Sequence, residues 1–205
     1  MGDTATPAAG VKLQVGGILK SGIEIGVANI APILVNTLLW IVTIWIPYIN
    51  VGTTIGMVAG IIVKAGKGEP ISMTEIFNPV YRKYMGEFFL TSGLVGVGVG
   101  IGFAFFIIPG CVISIAWSLA LLFAIDKGKN PTEAISLSNR VTYGYKGAIF
   151  LANLALVVAA AIAGVVLGLI PFIGPLLVFA VIVLALFTSI GIQAYVYKVL
   201  SADLQ

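Results

Sequence analysis

Six long apolar runs constrain this chain more than any other feature of its sequence. Several approach or exceed the ~20 apolar residues that a helix needs to cross a hydrocarbon core about 30 Å thick. Of the 205 residues, 60% are hydrophobic and only 9% are charged, so a soluble core of this size could not bury all of the runs. The sequence therefore predicts an all-α integral membrane protein with six transmembrane helices, at approximately 26–46, 50–64, 87–108, 111–126, 147–170 and 175–198.

An Ile-Pro pair recurs at a spacing of 62 residues, with the prolines at Pro47, Pro109 and Pro171. Proline lacks an N–H and clashes with the preceding turn, so it stops or bends a helix. This pattern predicts three tandem helix-Pro-helix hairpins in a single membrane domain over 1–205, with repeats at approximately 11–66, 72–128 and 131–200. The alternative is that proline marks turns in any multi-pass protein.

Each predicted hairpin follows a stretch with helical periodicity, which is typical of a helix lying in the membrane surface. In the second unit the predicted apolar face is Met73, Ile76, Phe77, Val80, Tyr81 and Tyr84, and the polar face is Glu75, Asn78, Arg82 and Lys83. The third unit places Ala134, Leu137, Val141 and Tyr145 opposite Asn139 and Arg140, and the first places Val11, Val15, Ile18 and Leu19 opposite Lys12 and Lys20. Asn130 and Glu133 have capping-box spacing, as do Ser72 and Glu75. An ordinary connecting loop with some helix is the alternative.

The basic residues all fall outside the three predicted turns. Under the positive-inside rule, this asymmetry predicts a multi-pass protein of the bacterial plasma (inner) membrane with both termini in the cytoplasm. Because these residues occur singly or in pairs, they indicate contacts with membrane lipids and no nucleic acid. The predicted lipid-headgroup contacts are Lys67, Arg82, Lys83, Lys129, Arg140 and Lys146.

Glycines recur at helical spacing on two of the predicted spans, at Gly52, Gly56 and Gly60 and at Gly96 and Gly100. Small residues four apart let helix backbones approach closely in lipid. These five glycines are predicted helix-packing residues, either within the chain or against other membrane subunits or a second copy.

The composition excludes several kinds of chemistry. The chain has no histidine and one cysteine, Cys111, which rules out a Cys-His nucleophile and an intrachain disulfide. We therefore predict no catalytic residue, no metal and no cofactor. Every carboxylate is predicted at a helix end or in a loop, which argues against a proton path.

Neutral polar residues remain inside the predicted spans. Asn29 and Asn153 occupy corresponding positions in the first and third repeats and could line a polar site, although such side chains are more often hydrogen-bond partners between helices. The other members of this set are Asn36, Thr37, Ser114, Ser118, Thr188, Ser189 and Gln193.

The stretch from Phe105 to Asn153 resembles the bacterial membrane-domain families related to the membrane domain of glycerophosphoryl diester phosphodiesterases. The matching residues are Ile107-Ile108-Pro109-Gly110 at a turn, then Asn130-Pro131-Thr132-Glu133-Ala134-Ile135 with Ser138 and Gly147. These motifs are structural turns and caps, so the resemblance implies a membrane fold without implying phosphodiesterase activity.

The sequence thus predicts a non-enzymatic polytopic membrane protein: a scaffold, an accessory subunit of a membrane complex or a membrane-shaping element. The alternative is a channel or transporter for a small or amphipathic solute. An intramembrane enzyme acting on lipid is a third reading, which the lack of paired acid and base groups disfavours.

Overall fold

A computed structural model describes residues 13–204, and all regular secondary structure in this range is helical. The α-helices are α1 Val15–Ala28, α2 Ile30–Thr43, α3 Pro47–Ile55, α4 Ile61–Lys67, α5 Met85–Phe105, α6 Ile107–Ala116, α7 Ala120–Asp126, α8 Pro131–Thr142, α9 Lys146–Gly168 and α10 Gly174–Leu200. A π-helical segment, Gly56–Gly60, joins α3 to α4, and short 3₁₀ segments span Glu75–Phe77, Pro79–Tyr84 and Ala202–Leu204.

Five helical stretches of the described chain are long and apolar enough to cross a membrane: Pro47–Lys67, Pro79–Phe105, Ile107–Asp126, Lys146–Gly168 and Gly174–Leu200. A sixth is reached if α1 and α2 count as one span, although they meet at a 71° bend. The prediction of an all-helical chain with several membrane-spanning helices is confirmed at this level. The predicted straight helix over 26–46 is instead interrupted at Asn29, where the backbone leaves helical geometry.

The three repeat prolines lie near chain reversals. Pro47 is the first residue of α3, Pro109 is the third residue of α6, and Pro171 lies in the turn between α9 and α10. A proline costs little in the first turn of a helix, because the N–H it lacks would have no partner there. The helices on either side of each reversal contact one another. Their arrangement across a bilayer as three equivalent hairpins stays a prediction, as do the single domain and its repeat boundaries.

The closest approach of two helices in the core brings α1 against α10. A Cβ added to Gly191 would overlap the carbonyl oxygen of Gly22 and lie 2.8 Å from the nitrogen of Gly26. A Cβ on Gly26 would in turn lie 2.8 Å from the carbonyl carbon of Phe187. This contact therefore depends on the absence of side chains. Gly22, Gly26 and Gly191 are not among the predicted packing glycines, although Gly22 and Gly26 have the four-residue spacing of a packing motif.

The predicted packing glycines behave in two ways. Gly52, Gly56 and Gly60 receive side chains of the 3₁₀ segment Pro79–Tyr84: Arg82 lies against Gly52, and Tyr81 lies against both Gly56 and Gly60. By contrast, a Cβ added to Gly96 or Gly100 would meet no described atom within 4 Å. A packing role for these two glycines thus requires a partner outside the described chain, and it stays a prediction.

The predicted membrane-surface helices of the second and third units differ in form. The third contains α8, where Asn130 Oδ1 accepts a hydrogen bond from the Glu133 backbone N–H at 2.9 Å, so the predicted cap is present. In the second, Pro79 divides the predicted helix into two 3₁₀ segments, and Glu75 is buried although we expected it on the polar face. In the first unit, Val11 and Lys12 lie outside the described residues.

Candidate functional site

Polar side chains from α6, α9 and α10 converge on a cavity of about 340 Å³. They lie on three different helices and in the turn that follows α6, and five of them belong to the neutral polar set predicted from the sequence. These five are Ser114, Ser118, Asn153, Ser189 and Gln193, and Cys111 also lines the cavity. The remaining lining is apolar, including Ile115, Ile149 and Ile192.

The hydrogen bonds of these groups leave acceptors free. Ser114 and Ser118 donate their single hydroxyl protons to the carbonyl oxygens of Cys111 and Ile115, at 2.8 and 2.9 Å. Asn153 Nδ2 donates to the Ile149 carbonyl at 2.9 Å, and Gln193 Nε2 donates to the Ser118 carbonyl at 3.3 Å. No described group donates to the side-chain carbonyl of Asn153 or of Gln193. The cavity therefore presents free carbonyl acceptors, together with the second amide protons of Asn153 and Gln193 and the hydroxyl of Ser189.

The structure separates the two asparagines of the predicted polar site. Asn153 lines the cavity, whereas Asn29 lies at the bend between α1 and α2, outside the cavity lining. Both make the same local contact, in which Nδ2 donates to the backbone carbonyl four residues earlier. That carbonyl belongs to Ile25 for Asn29 and to Ile149 for Asn153, at 2.9 Å in each case. Of the two asparagines, the structure thus brings only Asn153 to the cavity.

A groove runs along α9 and α10 from the cavity. Its volume is about 640 Å³ and its lining is almost entirely apolar, with Val157, Ala161 and Gly164 on α9 facing Val178 and Ile182 on α10. Asn153 and Ser189 line both the groove and the cavity. The polar and the apolar spaces are therefore contiguous.

Two buried carboxylates form separate ion-pair networks near the end of α4. Glu75 pairs with Lys64 at 2.8 Å and accepts a hydrogen bond from the Tyr81 hydroxyl at 2.9 Å. Asp126 pairs with Lys67 and accepts a hydrogen bond from the Tyr197 hydroxyl. We had predicted both acids at a loop or a helix end and had not foreseen their burial.

The environment of Glu75 has opposing effects on its pKa. Burial raises the pKa of the carboxyl, but hydrogen bonds from Lys64 and Tyr81, together with the charge of Lys64, outweigh burial and leave the pKa below its ordinary value of 4.5. Glu75 is therefore ionised at neutral pH and bound to its lysine. Such a pair stabilises a fold and leaves no free base for proton transfer.

Asn36 connects this network to α2. Its side chain is fully buried; Nδ2 donates to the Ser72 carbonyl at 2.8 Å, and Oδ1 accepts from the Ile76 backbone N–H at 3.0 Å. These bonds hold the segment that contains Glu75 against α2, more than thirty residues earlier in the chain. We expected an interhelical partner for the polar residues of this span, and the partner of Asn36 is a loop instead.

The predicted lipid-headgroup residues are dispersed over the surface. Lys83, Lys129 and Arg140 are exposed, and Lys146 donates a hydrogen bond to Asn139 at 2.9 Å. Lys67 is held by Asp126. The guanidinium of Arg82 lies 4.9 Å from the Tyr48 ring centre, beside the start of α3. Headgroup binding by these residues stays a prediction.

No protein-family model, curated protein or solved structure matches this chain. The resemblance of the stretch from Phe105 to Asn153 to phosphodiesterase-related membrane domains therefore remains an expectation. Among the described residues, no cluster of three or more acidic, cysteine or histidine side chains could hold a metal ion.

Proposed function

We propose that this protein is a non-enzymatic, multi-pass membrane protein that acts as a scaffold, an accessory subunit of a membrane complex or a membrane-shaping element. The observation that carries the proposal is the exposed glycine face of α5. Gly93, Gly96 and Gly100 lie at intervals of three and four residues, and a Cβ on any of them would meet no described atom within 4 Å. Membrane helices associate through such faces.

The buried charges support the same proposal. Glu75 and Asp126 each have a lysine and a tyrosine as partners, so the described carboxylates with the least exposure serve the fold. They fix α4 against the segment containing Glu75 and against α7 and α10. The apolar helices α5 and α9 extend beyond this core. Most of their surface is not buried by the rest of the described chain. A membrane helix of another subunit, or of a second copy, fits the α5 face.

The proposal extends to location and lipid contact. The distribution of basic residues favours the bacterial plasma (inner) membrane, with both termini cytoplasmic and three hairpins inserted from that side. Lys83 and Lys129 extend into solvent and are suited to bind acidic headgroups. We propose no cofactor and no nucleic-acid partner.

The full chain, cross-linked in native membranes and analysed by native mass spectrometry, is expected to appear in an assembly heavier than its own 21.4 kDa. Gly96→Leu should shift the population toward the free chain by about tenfold, because a bulky side chain separates the backbones, which corresponds to about 1.4 kcal/mol. Gly147→Leu is the matched control, since Gly147 also has open space but lies near the start of α9.

The measured mass separates a second copy from another subunit. A lone chain in lipid that also leaves vesicle shape unchanged would contradict the proposal. Equal assembly of the Gly147→Leu and Gly96→Leu variants would show that the glycine face of α5 is not the contact surface.

A channel or transporter for a small or amphipathic solute is the second candidate function, and the cavity between α6, α9 and α10 favours it. In proteoliposomes that report solute flux, Asn153→Leu is expected to reduce transport about tenfold, because it removes a polar group from the cavity and fills part of its volume. Asn29→Leu should leave flux unchanged, since Asn29 makes the same local hydrogen bond outside the cavity. Equal effects of the two variants would count against this function.

A further inference from the structure

We infer that the cavity and the adjoining groove form one binding site for a long-chain amphipathic molecule whose head is uncharged and donates hydrogen bonds. This inference deepens the second candidate function by naming the ligand class. It concerns binding alone, so it can hold or fail independently of flux.

The continuity of the two spaces is the first observation. Asn153 on α9 and Ser189 on α10 line both the polar cavity and the apolar groove. A molecule whose head sits beside these residues can therefore extend its tail along the helices without crossing a wall of side chains. The lining changes from polar to apolar at these two residues.

The dimensions and exposure of the groove suit an alkyl chain. From Asn153 to Val165 the groove follows α9 for twelve residues, or about 18 Å at the helical rise. Val157, Val165 and Ile182 on its rim are more than half exposed. The groove therefore opens toward the apolar surroundings of the spans, which makes the bilayer the source of the ligand.

The chemistry of the cavity defines the head. Among the described residues that line the cavity or the groove there is no Lys, Arg, Asp or Glu, so an ionised head would lack a counter-charge in a poorly solvated space. The hydroxyl protons of Ser114 and Ser118 are already donated to backbone carbonyls. The side-chain carbonyls of Asn153 and Gln193 await a donor. A hydroxyl or amide N–H head donates to these carbonyls and can also accept from the second amide protons of Asn153 and Gln193, whereas an ether or ester head can only accept.

Cys111 provides a reporter without any mutation. It is the chain's single cysteine and it lines the cavity. A ligand head in the cavity should shield its thiol from a small alkylating reagent. The full chain in nanodiscs would be titrated with oleyl alcohol and, in parallel, with its methyl ether, which keeps the tail and lacks the donor.

The alcohol is expected to slow Cys111 alkylation at concentrations about tenfold lower than the ether, because its hydrogen bond to a half-buried carbonyl of Asn153 or Gln193 is worth about 1.4 kcal/mol. Oleate, tested at a pH where it is ionised, should protect no better than the ether. A diazirine placed in the alkyl chain of the alcohol should cross-link to α9 and α10 along the groove.

Gly164→Leu tests the tail contact. A Cβ at Gly164 meets no described atom within 4 Å, so the side chain should fill the groove without distorting the fold. We expect the alcohol to bind about tenfold more weakly to this variant. Gly147→Leu is the control on the same helix, since Gly147 has equal space and lies outside the groove.

The inference is overturned if the ether protects Cys111 as well as the alcohol does, or if cross-links spread evenly over all lipid-exposed helices. Both measurements use the unmutated chain, so a variant that fails to fold does not obscure the result. Binding without flux would remove the transporter function and leave the site, whereas flux without binding would do the reverse.

Discussion

Gly191→Ala is expected to lower the free energy of unfolding by about 2 to 3 kcal/mol, because it forces a methyl group into the backbone of the neighbouring helix. The added Cβ would overlap the carbonyl oxygen of Gly22, and no side-chain rotation can relieve a clash with main-chain atoms. The helix α1 must then move away from α10, which loosens the core around Ile18 and Ile192. Unfolding in mixed micelles by SDS, followed by circular dichroism, measures the change.

The sign of the effect distinguishes this site from an ordinary helical glycine. At Gly147, where a Cβ has open space, alanine should be neutral or should stabilise the helix by up to about 1 kcal/mol through its better propensity. If Gly191→Ala were also neutral or stabilising, the close contact of α1 with α10 would be disproved.

Asn36→Leu is expected to be of similar severity, at about 2 to 3 kcal/mol. It leaves the buried Ile76 N–H without an acceptor, which costs about 1 to 3 kcal/mol, and it removes the part-buried hydrogen bond to the carbonyl of the exposed Ser72. The segment containing Glu75 should detach from α2. Hydrogen exchange should accordingly speed up at the amides of residues 74–77, at least tenfold, while α9 and α10 stay protected.

Asn153→Leu is the comparison for stability. Its amide contacts only the carbonyl four residues earlier in the same helix, so its loss should cost less than about 1 kcal/mol. Equal destabilisation by the two variants, or unchanged exchange at residues 74–77 in Asn36→Leu, would contradict the tethering role of Asn36.

The helices that the sequence predicts best are those with unbroken apolar runs. Predicted spans over 87–108, 147–170 and 175–198 correspond to Met85–Phe105, Lys146–Gly168 and Gly174–Leu200, with ends that differ by at most three residues. Local hydropathy determines these helices, since a continuous run must be buried or face lipid wherever it lies. Hydropathy does not reveal the break at Asn29, because apolar residues continue on both sides of it.

The candidate site, unlike these helices, could be predicted only in part from the sequence. Ser114, Ser118, Ser189 and Gln193 are identifiable as polar residues within apolar runs, but their convergence depends on how α6, α9 and α10 pack. Nothing local to Glu75 shows that Lys64 and Tyr81 enclose it, because the three residues meet only after the chain turns back on α4. The repeat also suggested that Asn29 and Asn153 would act together, whereas the bend in the first unit carries Asn29 elsewhere.

The contact of Arg82 with Tyr48 limits how the first unit can sit in a bilayer. Arg82 also touches Gly52, which lies about 22 Å along the helix from Lys67 at 1.5 Å per residue, so this helix carries a cation near each end. A helix with a cation at each end cannot lie perpendicular to the bilayer while both cations remain in the headgroup layer of one leaflet. Insertion of the first hairpin from the cytoplasmic side would therefore require Pro47–Lys67 to tilt strongly toward that interface, so that both Lys67 and Arg82 reach the headgroups.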